Sequence, residues 1–230
     1  MELNLGNNRS YQELRIRQKG KVVEISIDRD ESLNTLSMET LRELNRAFAG
    51  LRACQDIEAI ILKGAGVKAF AAGAVIDELL GLDPVGALRF SRLGQGLFEL
   101  MASLEQPIIA AIDGYCMGGG CDLALACDIR IATNRSQFAH PGARMGIITG
   151  FGGTRKLPRQ IGKQRAKELF FSCDTIDAFE AWRIGLVDQV VKPKELKGVV
   201  YSLANKILGE RRRRSGSALG VIDLFDIKGF

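Results

Sequence analysis

Apolar and polar positions alternate with a period of two over Val22–Asp28 (VVEISID), with Val23, Ile25 and Ile27 on one side. That period predicts a strand with one face in the core. From Ser37 the period changes. Leu41, Leu44, Phe48 and Leu51 recur at helical spacing, and Glu39 falls where the helix dipole favours an acid. Ala59–Lys63 (AIILK) reads as a short buried strand leading into the glycine-bearing loop GAGVKAFAAGA. Phe90, Leu93, Leu97, Leu100 and Leu104 mark a second amphipathic helix, closed off by Pro107. Ile108–Ile112 predicts another buried strand. It runs into Gly118-Gly119-Gly120, and Cys121–Ala126 then reads as a buried helix. Asp128–Ala132 (DIRIA) alternates again. Beyond it lie a turn rich in glycine (Gly150, Gly152, Gly153), a helix near Lys163–Phe171, and a helix capped by Asp177 three residues before Glu180.

The repeated unit is strand, glycine loop, helix. It predicts an α/β fold in which loops deliver backbone to a site at strand ends. The pattern does not set the strand order.

Composition narrows this picture. With 230 residues and 46% hydrophobic content the chain can bury one good core, with room for a small appendage. The polar start MELNLGNNRSYQEL lacks the apolar segment of a signal peptide, and the apolar runs are too short to cross a bilayer. Five cysteines without CxxC spacing read as reduced thiols of a cytoplasmic protein. The single histidine, His140, is isolated from them, so no metal site is expected. The net charge of +5 is concentrated: Lys192–Arg214 holds eight Lys or Arg against two Glu. A solvated helix end and tail explains this run. Attraction of phosphorylated ligands or nucleic acid through Arg211–Arg214 is the other reading, and no aromatic stacking platform accompanies it.

The glycines carry the candidate chemistry. Phe70-Ala71-Ala72-Gly73-Ala74 follows one buried strand, and Gly118-Gly119-Gly120 follows another. Both put small residues between a strand and a helix. Backbone N–H groups at a helix start are unpaired and electropositive. Two of them converging on one point would form an oxyanion hole. Close helix–strand packing is the other use of such glycines.

With these segments the sequence resembles the crotonase superfamily, the enoyl-CoA hydratases and isomerases. The resemblance rests on ESLNTLS (31–37), KAFAAGA (68–74), PIIAAIDGYCMGGGCDLALACDIRIA (107–132), GFGGTRKLPRQIG (150–162) and DAFEAWRIGLVDQVV (177–191), in the family's order. It implies a spiral of ββα units, a core over residues 1–195 and a shortened C-terminal helical and basic tail over 196–230. It implies an acyl-CoA thioester as ligand, with coenzyme A entering as part of the substrate and no separate cofactor. It also implies a homotrimer or hexamer. By matching positions, the oxyanion donors would be the N–H groups of Ala74 and Gly119, and Lys68 and Ala72 would bind coenzyme A. The implied reaction passes through a thioester enolate: hydration, double-bond isomerisation or carbon–carbon cleavage.

The acids depart from the family pattern. The first glutamate, usually GGGCE, is Asp122 here, whose carboxylate is one methylene shorter. It either complements the helix dipole or acts as an acid–base group. The second glutamate, usually in FGxPE, is replaced by Gly142 in Phe138-Ala139-His140-Pro141-Gly142. The acid that some isomerases place before the later glycine pair is also missing from Ile148-Thr149-Gly150-Phe151-Gly152. In an extended segment His140 would face the vacated position, and Arg144 would share that face. His140 is therefore a candidate proton carrier or a structural residue. Restoring a carboxylate at Gly142 would be expected to raise hydration about tenfold. A member without catalysis, binding acyl-CoA or serving as a structural partner, is the alternative function.

Overall fold

The computed structural model describes residues 11–215, with side chains through Gly209. Two sheets organise the chain. The larger takes strands β1 (Leu14–Lys19), β2 (Val22–Ile27), β3 (Ala59–Gly64), β5 (Ile108–Ile112), β7 (Ile129–Thr133) and β10 (Gln189–Val191), in that spatial order. β1 is antiparallel to β2, and every other pairing is parallel. The smaller sheet has the order β4 (Ala69–Ala71), β6 (Tyr115–Met117), β8 (Gln137–Ala139), β9 (Ile176–Asp177), with only β9 antiparallel. The pairs β3–β4, β5–β6 and β7–β8 each give one strand to the large sheet and the next to the small sheet, and helical segments follow each pair. That is the expected ββα spiral.

The apolar runs over residues 59–62 and 108–112 lack polar positions because the middle of the large sheet is buried on both faces. Along β3, Ile60 and Leu62 join the main core, while Ala59 and Ile61 point to the opposite face. The main core is closed by α1 (Met38–Arg52) and α3 (Pro84–Ala102). Ser37 caps α1, accepting from the Thr40 N–H at 2.9 Å. Asp83 caps α3, accepting from the Gly86 N–H at 2.6 Å. Leu104, read as part of α3, lies past its end. The opposite face is covered by α8 (Pro193–Ser215) through Val200, Ala204 and Leu208. These three recur every four residues and make one stripe. Burying an aliphatic side chain of this size stabilises by about 1.5–3 kcal/mol. α8 crosses the boundary drawn at residue 195. The side chains of Arg211–Arg214 lie outside the described residues.

The remaining helices are α2 (Ile76–Leu80), α4 (Gly119–Ala126), α5 (Gly153–Ile161), α6 (Lys163–Ser172) and α7 (Ala178–Arg183). Asp177 caps α7 as its spacing predicts, accepting from the Glu180 N–H at 2.8 Å. Among the described residues no helix is long and apolar enough to cross a membrane. All five cysteines are free, and four are buried.

Candidate active site

The first wall of the site is backbone. β4 ends at Ala71 and the chain turns through Gly73 at φ +97°, a conformation that side chains disfavour. Leu36 runs alongside. Its N–H donates to the Gly73 carbonyl at 2.7 Å, and its carbonyl accepts from Val75 at 3.4 Å. This bridge is made by the groups on either side of Ala74 and leaves Ala74's own N–H out of the ladder. The neighbouring loop is clamped by Asn34, in the left-handed region at φ 53°. Its buried carboxamide donates to the carbonyls of Ala65 and Ala69 at 2.9 and 2.7 Å and accepts from the Arg29 N–H at 3.0 Å. Asn tolerates this backbone conformation better than most residues.

The second half of that wall is the glycine triplet, and its members have different jobs. Gly118 has φ 48° and ψ −116° and makes the turn, its N–H held by the Ala139 carbonyl at 2.8 Å. Gly119 is the first residue of α4, so its N–H has no partner within the helix. A Cβ on Gly120 would overlap the Ala71 carbonyl, so this glycine serves close packing of α4 on β4. A Cβ on Gly73 would lie 3.7 Å from the Gly119 nitrogen, so the two loops meet. Ala74 and Gly119 both line a cavity of about 720 Å³. Two unpaired N–H groups on a shared wall can receive one ligand oxygen.

The other wall is made of side chains from residues 140–153 and from α3 and α6. Phe90, Phe151, Phe170 and Ile148 make much of it apolar. Among the described residues His140 is the one ionisable side chain lining the cavity, and no carboxylate lines it. Asp122 is fully buried in α4, behind the wall. Thr149 does line the cavity, and its hydroxyl donates to Asp122 Oδ2, while Oδ1 has no partner. Burial pushes the Asp122 carboxyl up to about 6, against the opposing effects of His140 and the Thr149 hydrogen bond.

Residues 17–216 match the profile of the family described as Enoyl-CoA hydratase/isomerase. The chain belongs to this family. It is 42% identical over 193 residues to the short-chain-enoyl-CoA hydratase of Clostridium acetobutylicum, covering 84% of this chain and 74% of that protein. It is 40% identical over 201 residues to the crotonyl-CoA hydratase of Syntrophomonas wolfei, covering 87% and 77%. Among solved structures, the enoyl-CoA hydratase from Bacillus anthracis superposes with a TM-score of 0.83 at 37% identity. That match covers 86% of this chain and 77% of the other.

Within this family frame the predicted site residues separate. Ala72, Ala74, Gly119 and His140 all line the cavity. Ala72's N–H is already engaged with the Leu33 carbonyl at 3.1 Å. Lys68 is exposed and is not among the lining residues. The extended register assumed for His140 and Arg144 ends at Ala139. From Pro141 to Met145 the chain is a 3₁₀ turn, and Arg144 points away, exposed and off the cavity wall. His140 itself is only 5% exposed, its ring 4.7 Å from that of Phe170 and its Nε2 buried without a partner. Behind it, Cys121 Sγ faces the carbonyls of Cys116 and Ala139 at 2.7 and 3.6 Å, an arrangement that a protonated thiol makes. Gly142 is closed in as well: a Cβ there would lie 2.6 Å from the Ile147 carbonyl. A glutamate at this position would require the Ile147 carbonyl to shift, so the tenfold gain expected from restoring one does not follow.

Sequence reasoning missed three residues. Asn34 stands in a quoted motif, and its left-handed preference was the available signal. Thr149 was read only as a missing acid. Gly153 was read as a turn, yet a Cβ there would overlap Asp122 Oδ1. No local pattern announces the contact of Thr149 with Asp122, which is 27 residues away.

Proposed function

We propose that the protein hydrates a 2-enoyl-CoA thioester to the 3-hydroxyacyl-CoA. The observation that carries this reading is the pair of unpaired N–H groups, Ala74 and Gly119, on one cavity wall. As water adds to Cβ, electron density moves onto the thioester oxygen. Fixed donors stabilise that developing charge more in the transition state than in the ground state. The largely apolar lining strengthens the effect, because water competes less for the charge. The names of the similar hydratases favour hydration over isomerisation or cleavage. Coenzyme A enters as part of the substrate and no other cofactor takes part.

The protein assembles as a homotrimer or a dimer of trimers. Large apolar side chains left exposed on α6 and α7, Phe171, Phe179 and Trp182, support an interface. Free cysteines support a reducing compartment, the cytoplasm.

The test is incubation with short and medium 2-enoyl-CoA thioesters, followed by mass spectrometry. Products heavier by one water are expected. Thioester binding without any product would support the non-catalytic alternative instead.

A further inference from the structure

Asp122 is the carboxylate behind the cavity, but it is fully buried and does not line it. It cannot take a proton from a substrate water without an intermediary or a rearrangement. The intermediary is in place. Thr149 lines the cavity and its hydroxyl is hydrogen-bonded to Asp122 Oδ2. The local backbone is shaped around this pair. At Gly153 a Cβ would overlap Asp122 Oδ1 and would come within 2.9 Å of Thr149 Cγ2. Asp122 Oδ1 has no partner, so the carboxylate keeps unspent accepting capacity.

We propose that Thr149 is the catalytic residue that touches the attacking water, its hydroxyl relaying that water's proton to the carboxylate of Asp122. The proposal rests on the hydration reading above. As the water oxygen bonds to Cβ, the double-bond pair shifts toward the thioester and charge gathers on its oxygen. The water proton passes to Thr149 Oγ1 while the Thr149 proton passes to Asp122 Oδ2. The reverse relay delivers a proton to Cα as the enolate collapses. One water is added across the double bond and nothing is oxidised or reduced. Asp122 acts through Thr149 and is a positioning residue. The groups facing Asp122 are Thr149, His140, Cys121 on its own helix, and Lys156 on α5. Burial dominates their combined effect and suits Asp122 to accept a proton near neutral pH.

The experiment measures hydration between pH 5 and 9 for wild type, Thr149→Val, Thr149→Ser and Asp122→Asn, alongside the Kd of a saturated acyl-CoA. Thr149→Val keeps the shape and removes the relay. It should lower kcat about 10²-fold, within the usual range for one acid–base group, and leave Kd within about threefold. Thr149→Ser should restore most of kcat. The wild-type rate should rise with pH through about 6. Thr149→Ser should keep that rise and Asp122→Asn should lose it. If Thr149→Val folds poorly, the pH profiles of the other two decide. Wild-type kcat in Thr149→Val, or an unchanged pH profile in Asp122→Asn, overturns the proposal and leaves the hydration reading standing. A wild type that binds no acyl-CoA overturns the hydration reading and the relay with it.

Discussion

The two walls of the cavity are built by different rules. The wall carrying Ala74 and Gly119 offers main-chain N–H groups, placed by strand ends, a left-handed turn and an asparagine clamp. On the hydration reading, its chemistry needs the backbone path and small side chains beside the donors. On the hydration reading, the wall spanning residues 140–153 would supply proton transfer, which only side chains can do. There the family's second glutamate position is Gly142, sealed by the Ile147 carbonyl, and the first is a shorter acid set behind Thr149. If that reading holds, the fold keeps its charge-stabilising half fixed while its acid–base half is rebuilt.

The largest effect should come from breaking the backbone wall. In Gly119→Val the new Cβ would meet Phe151 Cε2 at 3.0 Å and Leu36 Cδ1 at 3.6 Å, and its methyls would crowd the donor. Loss of one oxyanion donor typically costs about 10²–10³-fold in kcat, and a loss of at least this size is expected. Circular dichroism checks the fold. Undiminished turnover in a folded variant would falsify the role given to Gly119.

The next effect sharpens the contrast through stability. A carboxyl held near 6 in the folded state, against 3.8 as its ordinary value, binds its proton more tightly when folded. Between these values the native state carries more protons than the unfolded one, so stability falls as pH rises and levels off above about 6. The cost of keeping Asp122 charged and buried at pH 7–8 is about 3 kcal/mol. Asp122→Asn should therefore be more stable than wild type at pH 8, with the advantage vanishing below about pH 4. Urea unfolding at both pH values measures this. An equal difference at both would show that folding does not raise the carboxyl.

Gly153→Ala probes the same wall while leaving both proton carriers in the sequence. Its Cβ would push on Asp122 and Thr149, and kcat should drop about 10²-fold with binding little changed. Stopped-flow kinetics with a saturating enoyl-CoA reads this directly. The smallest effect is expected from Gly142→Glu. Overpacking against the Ile147 carbonyl should cost about 1–3 kcal/mol of stability, with no gain in hydration. A clear rise in kcat would show that the turn opens and accepts a second acid.

Legibility in the sequence followed the same division. The strands from Val22, Ala59 and Ile108, the Ser37 and Asp177 caps and both glycine junctions follow from local periodicity and turn chemistry, and the structure has them there. The order of the two sheets does not follow, because pairing of β3 with β5 across 48 residues leaves no local trace. At the site, the two glycine junctions were legible from small residues set between strand and helix, but close packing uses such glycines too, as Gly120 does, and Ala74 and Gly119 were singled out by the family resemblance. Arg144 was misplaced because an extended period was carried past Ala139 into a 3₁₀ turn opened by Pro141. The Asp122–Thr149 pair was illegible because it joins α4 to a distant loop and depends on the missing side chain of Gly153.

The central claim is that Ala74 and Gly119 grip the thioester oxygen. Infrared difference spectroscopy with an enoyl-CoA labelled with ¹³C at the thioester carbonyl tests it most directly. Two N–H donors weaken the bound C=O bond, so its stretch should move to lower frequency than in water. The shift should shrink in Gly119→Val and persist in Thr149→Val, which leaves the backbone wall intact. A bound carbonyl with its solution frequency, or a shift that Gly119→Val leaves unchanged, would contradict the account.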